Sequence, residues 1–153
     1  MGVEDEIRVL QLYLDIEKTR FNEDFEYEIK YHGFEPENVR IPSLLLQPYV
    51  ENAVKHGLMH KEGLKKLIIS FSMPDNVLRV TIADNGIGRK KSRELNAARK
   101  HRSFATKAIE DRIALINSYS GRQIRLTYID ELNNLGKPSG TTVVIEIVMY
   151  KFD

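Results

Sequence analysis

The chain has no cysteine among its 153 residues. That absence excludes disulfides, thiolate-bound zinc and cysteine nucleophiles, and it fits a reducing compartment. No apolar run approaches the ~18 residues that a membrane helix needs. The start, Met1-Gly2-Val3-Glu4-Asp5-Glu6, has neither the basic block nor the apolar block of a signal peptide. This piece is therefore expected to be soluble, with any membrane attachment carried by segments outside it. An excess of one charge sign is missing too. A formal net charge of +1 gives no global attraction to nucleic acid or to acidic substrates, so electrostatic arguments must be local. What remains, 42% hydrophobic residues over this length, is enough for one domain with a proper core plus an appendage.

Residues 3–21 read as a helix with two apolar stripes. Val3, Ile7, Leu10, Leu14 and Phe21 form one, and Val9, Tyr13 and Ile16 form a second, displaced around the cylinder; the second is expected to meet another helix, from a second subunit. Phe25, Tyr27, Ile29 and Tyr31 then alternate with charged residues at the period of a half-buried strand. A second helix is expected over 42–56, stopped by Gly57. Pro48 inside it costs about 3 kcal/mol in a helix interior, so the span is predicted either to kink there or to begin near Gln47. Leu67, Ile69, Phe71 and Met73, then Leu78, Val80 and Ile82, flank Pro74-Asp75-Asn76 and predict an antiparallel hairpin. A third helix over 104–120, closed by Gly121, precedes strands at 124–128 and 142–149. This order implies a two-layer α/β sandwich, with an open, mixed sheet covered by helices on one face.

Two short segments carry the chemistry: Glu51-Asn52-Ala53-Val54-Lys55-His56-Gly57 at a helix end and Asp84-Asn85-Gly86-Ile87-Gly88 after a strand. Asn52 offers an amide oxygen, a hard neutral ligand suited to Mg²⁺ together with phosphate oxygens and water. Lys55, three residues on, shares its face in an α-helix and is expected to reach the phosphates that the metal bridges. Asp84 can accept a hydrogen bond from an exocyclic amine, which adenine offers at N6 and guanine does not at that edge. Gly86 and Gly88 remove side chains beside such a ring. Gly140-Thr141-Thr142 enters the last strand, where a threonine hydroxyl can support the carboxylate. Residues 89–102 are strongly basic, with Arg89, Lys90, Lys91, Arg93, Arg99, Lys100 and Arg102 against the single acid Glu94. They are read as a loop that folds over a polyphosphate and leads to a helix N-terminus near Ser103. No basic stripe with interleaved aromatics continues elsewhere, so nucleic acid is not expected as a partner.

In combination, residues 41–57 followed by Asp84-Asn85-Gly86-Ile87-Gly88 resemble the N box and first glycine box of bacterial sensor histidine kinases of the LytS-like branch. Tyr13-Leu14-Asp15-Ile16-Glu17-Lys18-Thr19-Arg20-Phe21 is similar to the end of that family's dimerisation helix, and Gly140-Thr141-Thr142-Val143 to its closing strand. The resemblance implies a Bergerat-type ATP-binding fold with a mostly antiparallel sheet, divided into a dimerisation-helix remnant at 1–22 and a catalytic domain at 23–153. It implies transfer of the γ-phosphoryl of ATP to a histidine and then to a response regulator. By position, Asn52 is expected to bind Mg²⁺, Lys55 the phosphates, and His56 to border the nucleotide. Asp84 is expected to read adenine with Thr141, and Gly86 and Gly88 to hinge the lid. It further implies a homodimeric, membrane-bound parent whose catalytic domain is cytoplasmic.

Two departures stand out. The second glycine box, at the far end of the lid, is matched here by Ser103-Phe104-Ala105-Thr106, so Ser103 and Ala105 are the expected nucleotide neighbours in place of glycines. No histidine precedes His32, whereas the phosphoacceptor is expected on a helix upstream of Tyr13, outside this chain. Relatives of the same fold that hydrolyse ATP or phosphorylate serine place a glutamate one helical turn before the metal-binding asparagine. Pro48 stands there, and Glu51 points about 100° away around the helix. Transfer to histidine is favoured over an anti-sigma-type serine kinase, because imidazole needs little deprotonation near neutral pH, and a degenerate ATP-binding scaffold that pairs with an active kinase stays open as a third reading.

Overall fold

The computed structural model describes residues 1–21, 24–95, 101–120 and 123–149, and within these the backbone alone at 95, 101–106 and 120. Its elements are α1 (Val3–Arg20), β1 (Phe25–Tyr31), α2 (Gln47–Asn52), β2 (Lys65–Ser72), β3 (Val77–Asp84), α3 (Arg89–Leu95), α4 (His101–Ser120), β4 (Ile124–Leu132) and β5 (Pro138–Val148). One five-stranded sheet runs in the order β1-β2-β3-β5-β4. Only the β1–β2 pair is parallel, and the other three are antiparallel. The sheet is thus mixed, as the order of elements implied, and mostly antiparallel, as the family resemblance implied. No helix of the described residues is long and apolar enough to cross a membrane.

The period-2 pattern of the strands decides which face is covered. Leu67, Ile69 and Phe71 on β2, Leu78, Val80 and Ile82 on β3, and Val143, Ile145 and Ile147 on β5 are buried together with Leu46, Val50, Val54 and Leu58. Asp84 continues the phase of Leu78, Val80 and Ile82, so the strand's own geometry drives a carboxylate into the helix-covered layer.

Of the two α1 stripes, the first is the docking face. Val3, Ile7, Leu10 and Leu14 are buried, and Phe21 packs against the core at its edge. The second stripe divides: Tyr13 leans on the core, while Ile16 is 63% exposed beside Leu12 at 66%. Glu6 and Glu17, which the stripe pattern had left to solvent, are buried. Glu6 has a structural role, because its Oε1 accepts the Leu46 backbone N–H at 2.6 Å. That bond caps a helix whose own N-cap residue supplies no side-chain acceptor.

The second predicted helix begins at Gln47, which places Pro48 in its first turn where a missing N–H costs nothing. Residues 42–46 are not helical. Leu44 takes a positive φ of 54°, and the carbonyls of Ser43 and Leu44 accept hydrogen bonds from the Arg112 guanidinium on α4. Gly57 does not stop the helix as expected. The chain continues as a π-helical turn over Ala53–Leu58, with the Met59 N–H donating to the Val54 carbonyl at 2.9 Å. Two further boundaries differ from expectation: residues 89–95 are helical where a loop was read, and the following helix begins at His101. Gly121 lies outside the described residues.

If α1 is docked as an integral part of this fold, Leu14→Ala should cost about 2–5 kcal/mol of stability, and Ile16→Ala less than about 0.5 kcal/mol. Urea unfolding of both variants measures this, and equal losses would contradict the assignment of faces.

Candidate nucleotide-binding site

One cavity of about 350 Å³ lies between the sheet and the helical layer. That is the small end of the ~300–1,000 Å³ range of small-molecule pockets. Asn52, His56, Asp84, Gly88 and Thr141 line it together, so residues separated by up to five elements of chain converge on one space. Tyr49, Ala53, Gly57, Arg89, Ser92, Arg93, Glu110, Tyr128 and Val143 complete the lining. Arg89 and Arg93 belong to the basic stretch read as folding over a polyphosphate, and the other seven had not been singled out as site residues from sequence. Tyr128 was nevertheless discoverable, since it continues the inward phase of Ile124 and Leu126 on β4.

Asp84 is the floor of the cavity, 9% exposed. Its Oδ1 accepts the Gly86 backbone N–H at 2.8 Å, and the Thr141 main chain also bonds the carboxylate. The threonine hydroxyl was the expected partner, but the register pairs Asp84 directly with Thr141, and it is the backbone that reaches. Burial dominates these bonds and pushes the Asp84 carboxyl up to about 6. Such a group is available as an acceptor in a dry pocket and is poised to be stabilised by a donor from a ligand.

The glycines around Asp84 answer to close packing. A Cβ on Gly57 would come within 2.8 Å of Asp84 Oδ1, and one on Gly86 would come within 2.2 Å of the Gly57 carbonyl oxygen. Gly86 therefore lets two backbone segments touch and is not part of the lining, whereas Gly88, with φ of +84°, is. Asn85 also acts on structure: its side chain accepts from the Lys66 N–H at 2.7 Å and donates to the Leu64 carbonyl at 3.0 Å, pinning the loop to the start of β2.

Tyr49, Asn52, Ala53, His56 and Gly57 present one helical stripe to the cavity. Lys55 is exposed and lies off it. At about 100° per residue Lys55 falls well around the cylinder from the centre of this stripe, although it is only three positions from Asn52 at the stripe's edge. Cations on the cavity wall come instead from Arg89 and Arg93 on α3. Ser103 and Ala105 fall in the first turns of α4, and their side chains lie outside the described residues.

No family model matches the chain. It is 28% identical over 147 residues to the sensor histidine kinase YpdA of Escherichia coli (strain K12), covering 96% of this chain and 24% of that protein. It is 27% identical over 159 residues to the sensor protein LytS of Streptococcus mutans serotype c, covering 100% of this chain and 26% of that one. The chain thus spans about a quarter of the length of each of these two relatives. Among solved structures, the catalytic domain of the histidine kinase ThkA superposes with a TM-score of 0.62 at 14% identity, over 97% of this chain and 92% of that one. A second ThkA structure, in complex with the response regulator TrrA, gives 0.55 at 15% identity, over 98% and 41%. At these identities the structural likeness establishes the fold.

The raised Asp84 carboxyl has a signed consequence. The folded chain holds this proton to higher pH than the unfolded chain, so the group's contribution to stability is greatest below its ordinary value of 3.8 and declines as pH rises to about 6. Asp84→Asn should remove that decline, making the variant more stable than wild type at pH 7 by up to about 3 kcal/mol, with little such advantage near pH 3.5. Urea titrations at the two pH values measure it. A difference independent of pH would mean that Asp84 is not a buried ionising group.

Proposed function

We propose that this chain belongs with the LytS-like sensor histidine kinases it is similar to and is the ATP-binding catalytic unit of a protein-histidine kinase. The observation that carries the reading is the convergence of Asn52 and Asp84 on one cavity, with a buried acceptor at one place and a hard oxygen ligand at another. The Asp84 carboxylate takes a hydrogen bond from the adenine amine in a pocket where water competes poorly. Asn52 holds Mg²⁺ through its amide oxygen. Among the described residues no group of three or more His, Cys, Asp or Glu stands close enough to cage a metal. That donor set fits Mg²⁺, which binds few protein ligands and keeps phosphate and water oxygens. When bound, the metal neutralises charge on the phosphates.

The remaining work of the chain is positioning, which suits phosphoryl transfer because the reaction asks little covalent chemistry of the protein. Tyr49, Ala53 and Val143 exclude water from the site, Thr141 holds Asp84 through its backbone, and Arg93 supplies positive charge on the wall. The γ-phosphorus forms a bond to an imidazole nitrogen as its bond to the β–γ bridging oxygen breaks. ADP leaves, and the imidazole loses its proton. The phosphoryl group then passes to an aspartate of a response regulator. The accepting histidine belongs to an upstream helix of a dimeric, membrane-anchored parent, with this unit on the cytoplasmic side. Glu51 supports this over serine phosphorylation: it accepts from the Gln47 side chain at 3.0 Å and does not line the cavity, so it is poorly placed as a base.

Calorimetric titration should give ATP binding that strengthens with Mg²⁺, and Asn52→Ala should abolish that strengthening while leaving adenosine binding intact. Asp84→Asn should reduce the preference for ATP over GTP by roughly 1.5–3 kcal/mol. With radiolabelled ATP the wild-type chain should label a supplied helical segment bearing a histidine, and should not label itself. Acid-labile phosphate on this chain, or Mg²⁺-enhanced binding that survives in Asn52→Ala, would refute the assignments.

A further inference from the structure

Arg89 directly follows Gly88, whose left-handed backbone, φ +84°, turns the chain out of the Asp84 loop and into α3. Its guanidinium reaches across to β4. Nε donates to Asp130 Oδ1 and Nη2 to Asp130 Oδ2, both at 2.8 Å, while the guanidinium carbon stands 4.5 Å from the centre of the Tyr128 ring. This is a two-pronged, planar match of fork to carboxylate combined with stacking on an aromatic face, a geometry that lysine cannot reproduce. The ion pair shifts both partners, holding the Asp130 carboxyl below the usual range and the Arg89 guanidinium above its own.

The place of this contact gives it meaning. Asp130 and Asp84 both pair with Thr141, from opposite sides, so Asp84, Thr141 and Asp130 form one row across β3, β5 and β4. Arg89 and Tyr128 line the cavity from its helical and strand walls respectively. The fork therefore fixes the first residue of α3 to the same row of the sheet that holds the cavity's buried acceptor.

We propose that Arg89 is a positioning residue: its fork to Asp130 and stack on Tyr128 hold the α3 wall at a set distance from Asp84 and so determine how tightly the nucleoside end of the ligand is retained. The proposal rests on the nucleotide-site reading above. Asp130 is more than half exposed, so the pair adds little to fold stability, and its effect is on the shape of the site. A wall already in place costs the ligand nothing to order.

The test is a double-mutant cycle on the full chain with Arg89→Lys, Asp130→Asn and the double variant, titrated with Mg-ATP and with adenosine, alongside dissociation rates and thermal midpoints. Each single variant should bind both ligands about fivefold more weakly, through faster dissociation, with an unchanged midpoint. The double variant should be no worse than either single one. Wild-type affinity in the variants would overturn the proposal. So would tighter ATP binding by Asp130→Asn, or a loss confined to ATP, because Arg89 would then be a phosphate ligand restrained by Asp130. A wild-type chain that binds neither ligand would instead overturn the nucleotide-site reading itself.

Discussion

A carboxylate that the alternation of β3 sends into the covered side of the sheet is the constraint around which this structure is arranged. Asp84 is accommodated because three other segments close on it with backbone alone. The end of the α2 region passes at Gly57, the loop after β3 returns at Gly86, and β5 passes at Gly140, where a Cβ would lie 2.0 Å from the Asp84 carbonyl oxygen. Each glycine is required by contact distance. Together they make a site in which a ligand meets an acceptor already stripped of most of its water, and in which two backbone N–H groups keep that acceptor oriented.

The second determinant is the shape of the helix carrying Asn52. Its start is set from outside by the buried Glu6 carboxylate, whose desolvation raises its pKa, and by Arg112 holding the preceding carbonyls. Its end is set from within by the π turn. The cavity receives His56 and Gly57 from this segment, while Lys55 stays exposed off the stripe. Positive charge at the wall then falls to α3, whose first residue is tied to β4. Glu6 thus ties the N-terminal helix to the start of the Asn52 helix, and Arg89 ties the basic segment after the glycines to the row Asp84-Thr141-Asp130.

Much of this was legible in the residues themselves. Alternation identified β1, β2 and β3, because a strand half-buried against helices records its faces at period 2, whereas the last two strands were read after the third helix at 124–128 and 142–149 and run over Ile124–Leu132 and Pro138–Val148. Pro48 marked the start of α2 at Gln47, because proline is tolerated only in a first turn. The docking stripe of α1 was visible in Val3, Ile7, Leu10 and Leu14, and Asn52 and Asp84 were recognisable by chemistry and spacing. The buried Glu6 was not, since only its distant partner, the N–H of Leu46, makes its burial tolerable. Gly57 and Gly86 were read as a helix stop and as space for a ligand, because their actual role is a contact between segments that the sequence does not place side by side.

The amino-acid order by itself determined the period of each element, the covered face of the sheet, and the residue types able to meet an adenine and a metal. These follow from local geometry, which each short stretch encodes without reference to any other. Tertiary structure alone decided the row Asp84-Thr141-Asp130, the close approach of Gly57 and Gly86, and the reach of Arg89 to β4. Register and long-range ion pairs depend on how distant segments settle against one another, and no window of sequence contains both partners.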